Sequence, residues 1–269
     1  MRIGIALSTR GDAGVARADF VRAMRDVEAV GLDGLWFFDA IGRGYLNTDP
    51  LAAAAAAGAV TERIEIGTCI VQAPLRHPIE LAQRVLTTQM FCGDRFRFGV
   101  GAGSTEGDFA AMGLDFSQRF KALREGLPMM QALWRGETAN GVNLTPWPVV
   151  KGGPPILIGS WAGGRWIPIA AEHYDGWIGS AMYTTLGALK DGVARYRRHG
   201  GKRAIATNIH VDLGAATTEI GDDDKIDLRC GPEEAARRLA RLAECGFDDA
   251  ILVVQNHDRA NLEAIRALL

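Results

Sequence analysis

Residues 63–103 read RIEIGTCIVQAPLRHPIELAQRVLTTQMFCGDRFRFGVGAG. A β-branched run over 63–70 is followed by a turn, a helical stretch and a second apolar run over 96–100 that enters glycines. The helix opens at His77-Pro78-Ile79-Glu80, with proline at a first-turn position where its missing N–H costs nothing. Ile79, Ala82, Leu86 and Met90 recur at helical spacing behind it. A strand, a helix and a strand in this order imply two parallel strands, because a parallel neighbour is reached only through a crossover.

The same unit recurs in both directions. Toward the N-terminus, 3–7 (IGIAL) reads as a strand, 8–14 as a polar turn, and Phe20, Met24, Val27 and Gly31 as a helical face. Residues 34–38 (GLWFF) form the second strand, with Asp39 at its end. Thr48-Asp49-Pro50 supplies a capping side chain ahead of proline and starts an alanine-rich helix. Toward the C-terminus, helices are expected over 106–112 and 117–134. The turn-rich stretch 136–153 reads as a surface excursion, as a small hairpin would. Strands follow at 155–159, 175–179, 204–211 and 249–254, with helices at 164–172, at 186–199, from Gly231-Pro232 onward, and at the C-terminus through Leu262, Ile265 and Leu269. The acidic stretch 219–227 reads as a surface loop.

Eight strand-then-helix units within 269 residues predict one α/β domain, a (β/α)₈ TIM barrel over 1–269, with an open doubly wound sheet as the alternative. The formal net charge of −2 offers no electrostatic pull toward nucleic acid or an anionic membrane. Residues 51–60 are apolar but far short of the roughly 20 needed to span a bilayer. Cys69, Cys92, Cys230 and Cys245 form no CxxC or Cys/His cluster, which reads as a reduced, cytoplasmic chain without structural zinc.

A barrel gathers its chemistry at the C-terminal ends of its strands, where the βα-loops converge. Asp39 stands at one such exit, either as a helix cap or turn residue or as an acceptor for a ligand's N–H or hydroxyl. Gly101-Ala102-Gly103 permits close backbone approach. It is not a dinucleotide fingerprint, since GxGxxG is incomplete and does not close a first βαβ unit. Glu106 follows near a helix start, where a carboxylate is favourable on structural grounds too. Ser160-Trp161-Ala162-Gly163-Gly164-Arg165 offers small residues, a helix N-terminus and a fixed positive charge, the ingredients of a phosphate seat. The competing reading is an ordinary βα-loop. Strand exits carry no metal-ligand cluster, and His210 and His257 are the histidines placed there.

The succession GLDGLWFFDA, TDPLAAAAAA, TERIEIGTCIVQAPLRHPIELAQ and GDRFRFGVGAGSTEGDFAAMGLDF resembles the luciferase-like monooxygenase family. PPILIGS, DGWIGS and GPEEAARRLARLAECGFDDAILV extend the resemblance over the whole chain, nearest to its short F420- or flavin-dependent oxidoreductase members. The resemblance implies the deazaflavin F420, or FMN, at the strand exits, acting on a small-molecule substrate. It implies a bulge with a non-proline cis peptide backing the ring at Cys69-Ile70, Asp39 at the ring's edge, Glu106 in the strand-four loop, and phosphate held by Ser160, Gly163, Gly164 and Arg165. It also implies a homodimer. Many F420-using members have His after the strand-two Asp; this chain has Ala40. An FMN monooxygenase served by a flavin reductase and a non-catalytic flavin-binding barrel are the alternatives.

Overall fold

The computed structural model describes residues 1–7, 16–41 and 43–269; the turn expected over 8–14 lies outside them. The elements run β1 (Arg2–Leu7), α1 (Arg17–Ala29), β2 (Gly34–Phe37), α2 (Pro50–Val60), β3 (Glu65–Thr68), β4 (Val71–Gln72), α3 (Pro78–Cys92), β5 (Phe96–Gly101), α4 (Glu106–Ala111), α5 (Arg119–Arg135), β6 (Ile156–Gly159), α6 (Trp166–His173), β7 (Gly176–Ser180), α7 (Leu186–Arg198), β8 (Ala204–Asp212), β9 (Leu228–Arg229), α8 (Pro232–Cys245), β10 (Asp249–Val254) and α9 (Arg259–Arg266). Strands β1, β2, β3, β5, β6, β7, β8 and β10 are parallel neighbours in that order, and β10 pairs with both β1 and β8. The sheet therefore closes, and the expected eight-unit barrel is the fold.

Local sequence explains the element ends. Asp49 caps α2 by accepting from the N–H groups of Leu51 and Ala52, at 3.1 and 2.9 Å. His77 caps α3 through Nδ1, which accepts from Ile79 N at 3.3 Å. The expected third strand (63–70) is shorter and split: β3 stops at Thr68, and after the two intervening residues Cys69 and Ile70 β4 resumes pairing with β5. Of the expected face of α3, Ala82 and Leu86 are buried, beside Leu81 and Val85, and Ile79 is partly so, whereas Met90 is 37% exposed. In the 136–153 excursion a lone antiparallel bridge, Ala139 with Val142, is the only trace of a hairpin among the described residues.

Two apolar layers hold the barrel. The larger lies between sheet and helices, and the smaller fills the interior with Ala6, Trp36, Cys69, Leu157, Ile178, Ile205, Ile251 and Val253. Trp36 is the largest of the interior group. Its indole lies where side chains on Gly4, Gly34 and Gly67 would stand, so β1, β2 and β3 leave those positions bare to admit it. Beneath it, the N-terminal end is closed by ion pairs. Arg203 meets Glu65 at 2.6 Å and Asp249 at 2.7 Å, Arg97 meets Glu65 at 2.9 Å, and Arg2 reaches both carboxylates at 3.3 and 3.4 Å. An open cavity of about 470 Å³ at this end is lined by Arg2, Glu65 and Arg97 from these pairs, together with Glu28, Arg63 and Arg95. Glu65 there is met by Arg2 and Arg97, Glu28 by the backbone N–H groups of Arg63 and Ile64, and Arg95 by Thr61 and nearby carbonyls. The cavity lies at the face opposite the βα-loops, where barrels keep stability rather than chemistry.

Burial alone would raise the Glu65 carboxyl, but hydrogen bonds and charge from Arg203, with charge from Arg2 and Arg97, hold it below its ordinary value of 4.5. A carboxyl depressed on folding adds stability that is complete above the unfolded value and is lost as pH falls through the folded one. Unfolding free energy is therefore expected to drop as pH falls below 4.5. In Glu65→Gln that acid limb should be shallower and stability at neutral pH lower; urea denaturation across the pH range checks both.

Candidate active site at the strand exits

The bulge between β3 and β4 organises the C-terminal mouth. The Cys69–Ile70 peptide is cis. Ile70 packs over bare backbone: a Cβ on Gly159 would meet Ile70 Cγ2 at 2.5 Å, and one on Gly101 would meet Ile70 Cδ1 at 3.1 Å. The glycines ending β5 and β6 thus make the seat that Ile70 occupies. Cys69 is buried in the interior layer. Burial pushes its thiol up to about 12, against a small lowering by the neighbouring Thr207 hydroxyl, so the thiol stays protonated at neutral pH. Thr207 Oγ1 is itself buried with no conventional hydrogen-bond partner, the weak thiol aside.

Asp39 follows β2 as expected, but its carboxylate is engaged within the chain. Arg76 donates to it through both terminal nitrogens, at 2.5 and 3.0 Å, and the Gln72 backbone N–H donates at 2.9 Å. The Gln72 side-chain amide donates to Asp108 at 2.8 Å, and Arg43 donates to the same carboxylate at 3.1 and 2.6 Å. Burial would raise the Asp108 carboxyl, yet Arg43 and Gln72 hold it below its ordinary range. This network ties the segment after β2 and helix α4 to Gln72 in β4, two residues past the bulge. Arg43, Gln72, Arg76 and Asp108 escape sequence reasoning. Their partners lie 33 to 65 residues away in the chain, and only Asp108, two residues past Glu106 in α4, carried a local hint.

The remaining expected residues divide. Gly101 ends β5, Ala102 is buried and Gly103 takes φ +79°, which excludes ordinary side chains there. Glu106 opens α4 and is exposed, outside the buried charge chain. Ser160 follows β6, and its hydroxyl accepts from the Trp177 indole N–H at 3.1 Å. Gly164 closes a turn by donating to Trp161 O at 2.8 Å, and Arg165 is exposed directly before α6. His257 is pushed below its ordinary value by burial, partly offset by a hydrogen bond with Val254 backbone. Among the described residues no group of three His, Cys, Asp or Glu could hold a metal ion, and no helix is long and apolar enough to cross a membrane.

A closed parallel barrel whose third strand ends in a bulge at the mouth defines a class of barrel protein, and comparison with known proteins agrees. The family model for luciferase-like monooxygenases matches residues 1–229, and the chain belongs to that family. A curated relative, F420-dependent glucose-6-phosphate dehydrogenase of Nocardia farcinica, is 33% identical over 171 residues, or 55% of this chain and 49% of that protein. The matched stretch thus spans about half the length of that relative. Two solved structures share the fold across the full chain. The monooxygenase RslO1 of Streptomyces bottropensis has a TM-score of 0.81 at 18% identity, covering 97% of that chain. The coenzyme F420-dependent tetrahydromethanopterin reductase of Methanopyrus kandleri has 0.80 at 14%, covering 98%.

Asp39 and Arg76 are nearly solvent-free, with side chains 2% and 10% exposed. Removing one member strands the other charge, which typically costs about 3–5 kcal/mol. Arg76→Ala is expected to lose stability in that range by chemical denaturation, while Arg22→Ala, whose partner Asp19 is itself exposed, should change it by less than about 1 kcal/mol.

Proposed function

We propose that this chain is an oxidoreductase that uses the deazaflavin F420 to pass hydride to or from a small organic molecule. The observation that carries the reading is the bulge between β3 and β4, where Ile70 is seated on Gly101 and Gly159 at the strand exits. That arrangement suits a planar ring, because a rigid apolar backing shields one face and leaves the other for a substrate. When bound, the ring supplies the hydride chemistry.

This chain's residues do the rest. Cys69 and Ile70 back the ring, and Gly101, Ala102 and Gly103 let its edge approach the backbone. Asp39 holds Gln72 and Arg76, and through them the bulge, in place. Ser160, Gly163, Gly164 and Arg165 with the N-terminus of α6 seat the phosphate, where free N–H groups and a guanidinium favour an anion. Glu106 lies at the rim as a proton-handling candidate.

Ala40, which follows Asp39 where many F420-using members carry His, favours a second reading: an FMN-dependent monooxygenase supplied by a flavin reductase. Titration of the chain with oxidised F420 and with FMN, followed by ligand fluorescence, decides between them. Micromolar binding of F420 in preference to FMN is expected. The reverse preference selects the second reading, and binding of neither sinks both. Arg165→Ala should weaken binding about tenfold or more, the scale of a hydrogen bond to a charged group; unchanged affinity would return that loop to a plain connection.

We further propose a cytoplasmic homodimer formed through α2. That helix is apolar on all sides, exposes Ala52, Ala56 and Ala59, and borders exposed Met90 and Phe91 of α3. A helix without a polar face belongs inside an assembly. Ala56→Glu is expected to convert the dimer to monomer in light scattering; an unshifted mass would exclude this face.

A further inference from the structure

The wall facing the Cys69–Ile70 bulge carries a second irregularity. Strand β8 pairs Ala206 with Ala250 and Ile209 with Leu252, so β8 fits one residue more than β10 into the same span. The extra residue falls at Asn208, whose φ is +61° in the left-handed region. Bulges of this kind re-aim a side chain and concentrate beside binding sites. Here Asn208 Nδ2 donates to Ser180 Oγ, at the end of β7, at 3.1 Å. Thr207, one residue before the bulge, pairs in register with Ser180 and lies beside Cys69 across the barrel. The Cys69–Thr207 contact is therefore a floor. Ile70 rises on one side of it, and Ser180 with Asn208 on the other.

The chemistry of this wall is specific. With Ser180 Oγ accepting from Asn208, the serine proton is turned away from that bond and left to donate elsewhere. Asn208 retains its carbonyl oxygen as an acceptor beside it. The Ser180 hydroxyl as donor and the Asn208 carbonyl as acceptor, held side by side by the 3.1 Å bond from Asn208 Nδ2 to Ser180 Oγ, match an oxygen that is a carbonyl in one redox state and a hydroxyl in the other. Residues 180–185 and 207–211 contain no Lys, Arg, Asp or Glu, so this wall carries no fixed charge to hold a phosphate or carboxylate, and His210 is its one side chain able to turn positive. Across the mouth the charged groups Asp39, Arg76, Asp108 and Arg43 are already paired with one another.

We propose that Ser180 and Asn208 receive the reacting oxygen of an uncharged alcohol or carbonyl substrate, which makes the substrate class a neutral alcohol–ketone pair. This rests on the F420 reading above. Oxidation then passes the alcohol's carbon-bound hydride to oxidised F420 and its hydroxyl proton to water, and reduction of the ketone reverses both transfers. Ser180 is a positioning donor and Asn208 fixes its direction.

The test uses the full chain with F420 and two probe pairs, cyclohexanol with cyclohexanone and benzyl alcohol with benzaldehyde, against glucose 6-phosphate. F420 affinity is measured first by fluorescence, then turnover by F420 absorbance. Turnover of an uncharged pair is expected, and none of the sugar phosphate. Ser180→Ala should raise KM for that pair about tenfold, the scale of one neutral hydrogen bond, with F420 affinity unchanged; Ser180→Thr, which keeps the hydroxyl, should restore it. F420 binding combined with turnover of the sugar phosphate, with turnover of neither uncharged pair, or with a Ser180→Ala enzyme equal to wild type overturns this inference alone. Failure to bind F420 overturns the reading beneath it as well.

Discussion

Filling a closed eight-stranded barrel is the constraint on which the rest of this molecule depends. The interior admits side chains from all eight strands, and its volume must be taken up without voids. Here one indole, Trp36, does much of that filling, and the neighbouring strands answer with glycine at Gly4, Gly34 and Gly67. A second, smaller version of the same exchange occurs one layer higher, where Ile70 takes the space vacated by Gly101 and Gly159. Large residue against bare backbone, repeated at two heights, sets where the solid interior stops and where the mouth begins.

The two ends of the barrel then differ in kind. At the N-terminal end charge is consumed: Arg2, Arg97 and Arg203 converge on Glu65 and Asp249, and the pairs satisfy each other. At the C-terminal end charge is used as rigging. Arg76, Asp39, Gln72, Asp108 and Arg43 run in sequence from the foot of α3 to the segment after β2, and Gln72, two residues past the bulge, is held in the middle. The surfaces that face into the mouth, Ile70 on one wall and Ser180 with Asn208 on the other, are left uncharged.

The fold was legible because its signal is periodic and local. Alternation of apolar runs with helical faces needs no knowledge of distant contacts, and capping residues such as Asp49 and His77 mark their own helices. The placement of Asp39 at the end of β2 was legible for the same reason. Its engagement was not. A carboxylate at a strand exit looks available until the guanidinium of Arg76, 37 residues on, is folded against it. Glu106 drew attention because it stands first in its helix, whereas Asp108 is the carboxylate that becomes buried; the difference is a helical rotation that a run of letters does not display. The bulges at Cys69–Ile70 and Asn208 mark the same limit. The first was anticipated through family resemblance. The second has no outward sign, since Asn208 sits within an ordinary β-branched run.

The plugged N-terminal end has a consequence for traffic. A barrel stoppered by five interlocked charged side chains is a cup, not a pipe, and everything that enters must leave by the same rim. Whatever settles deepest, against Ile70, is covered by whatever arrives next. Such a vessel enforces a queue: the deeper guest is first in and last out, and a tenant above it holds it captive. On the proposed reading, with the ring against Ile70, the closed end of the barrel sets the order in which cofactor and substrate come and go.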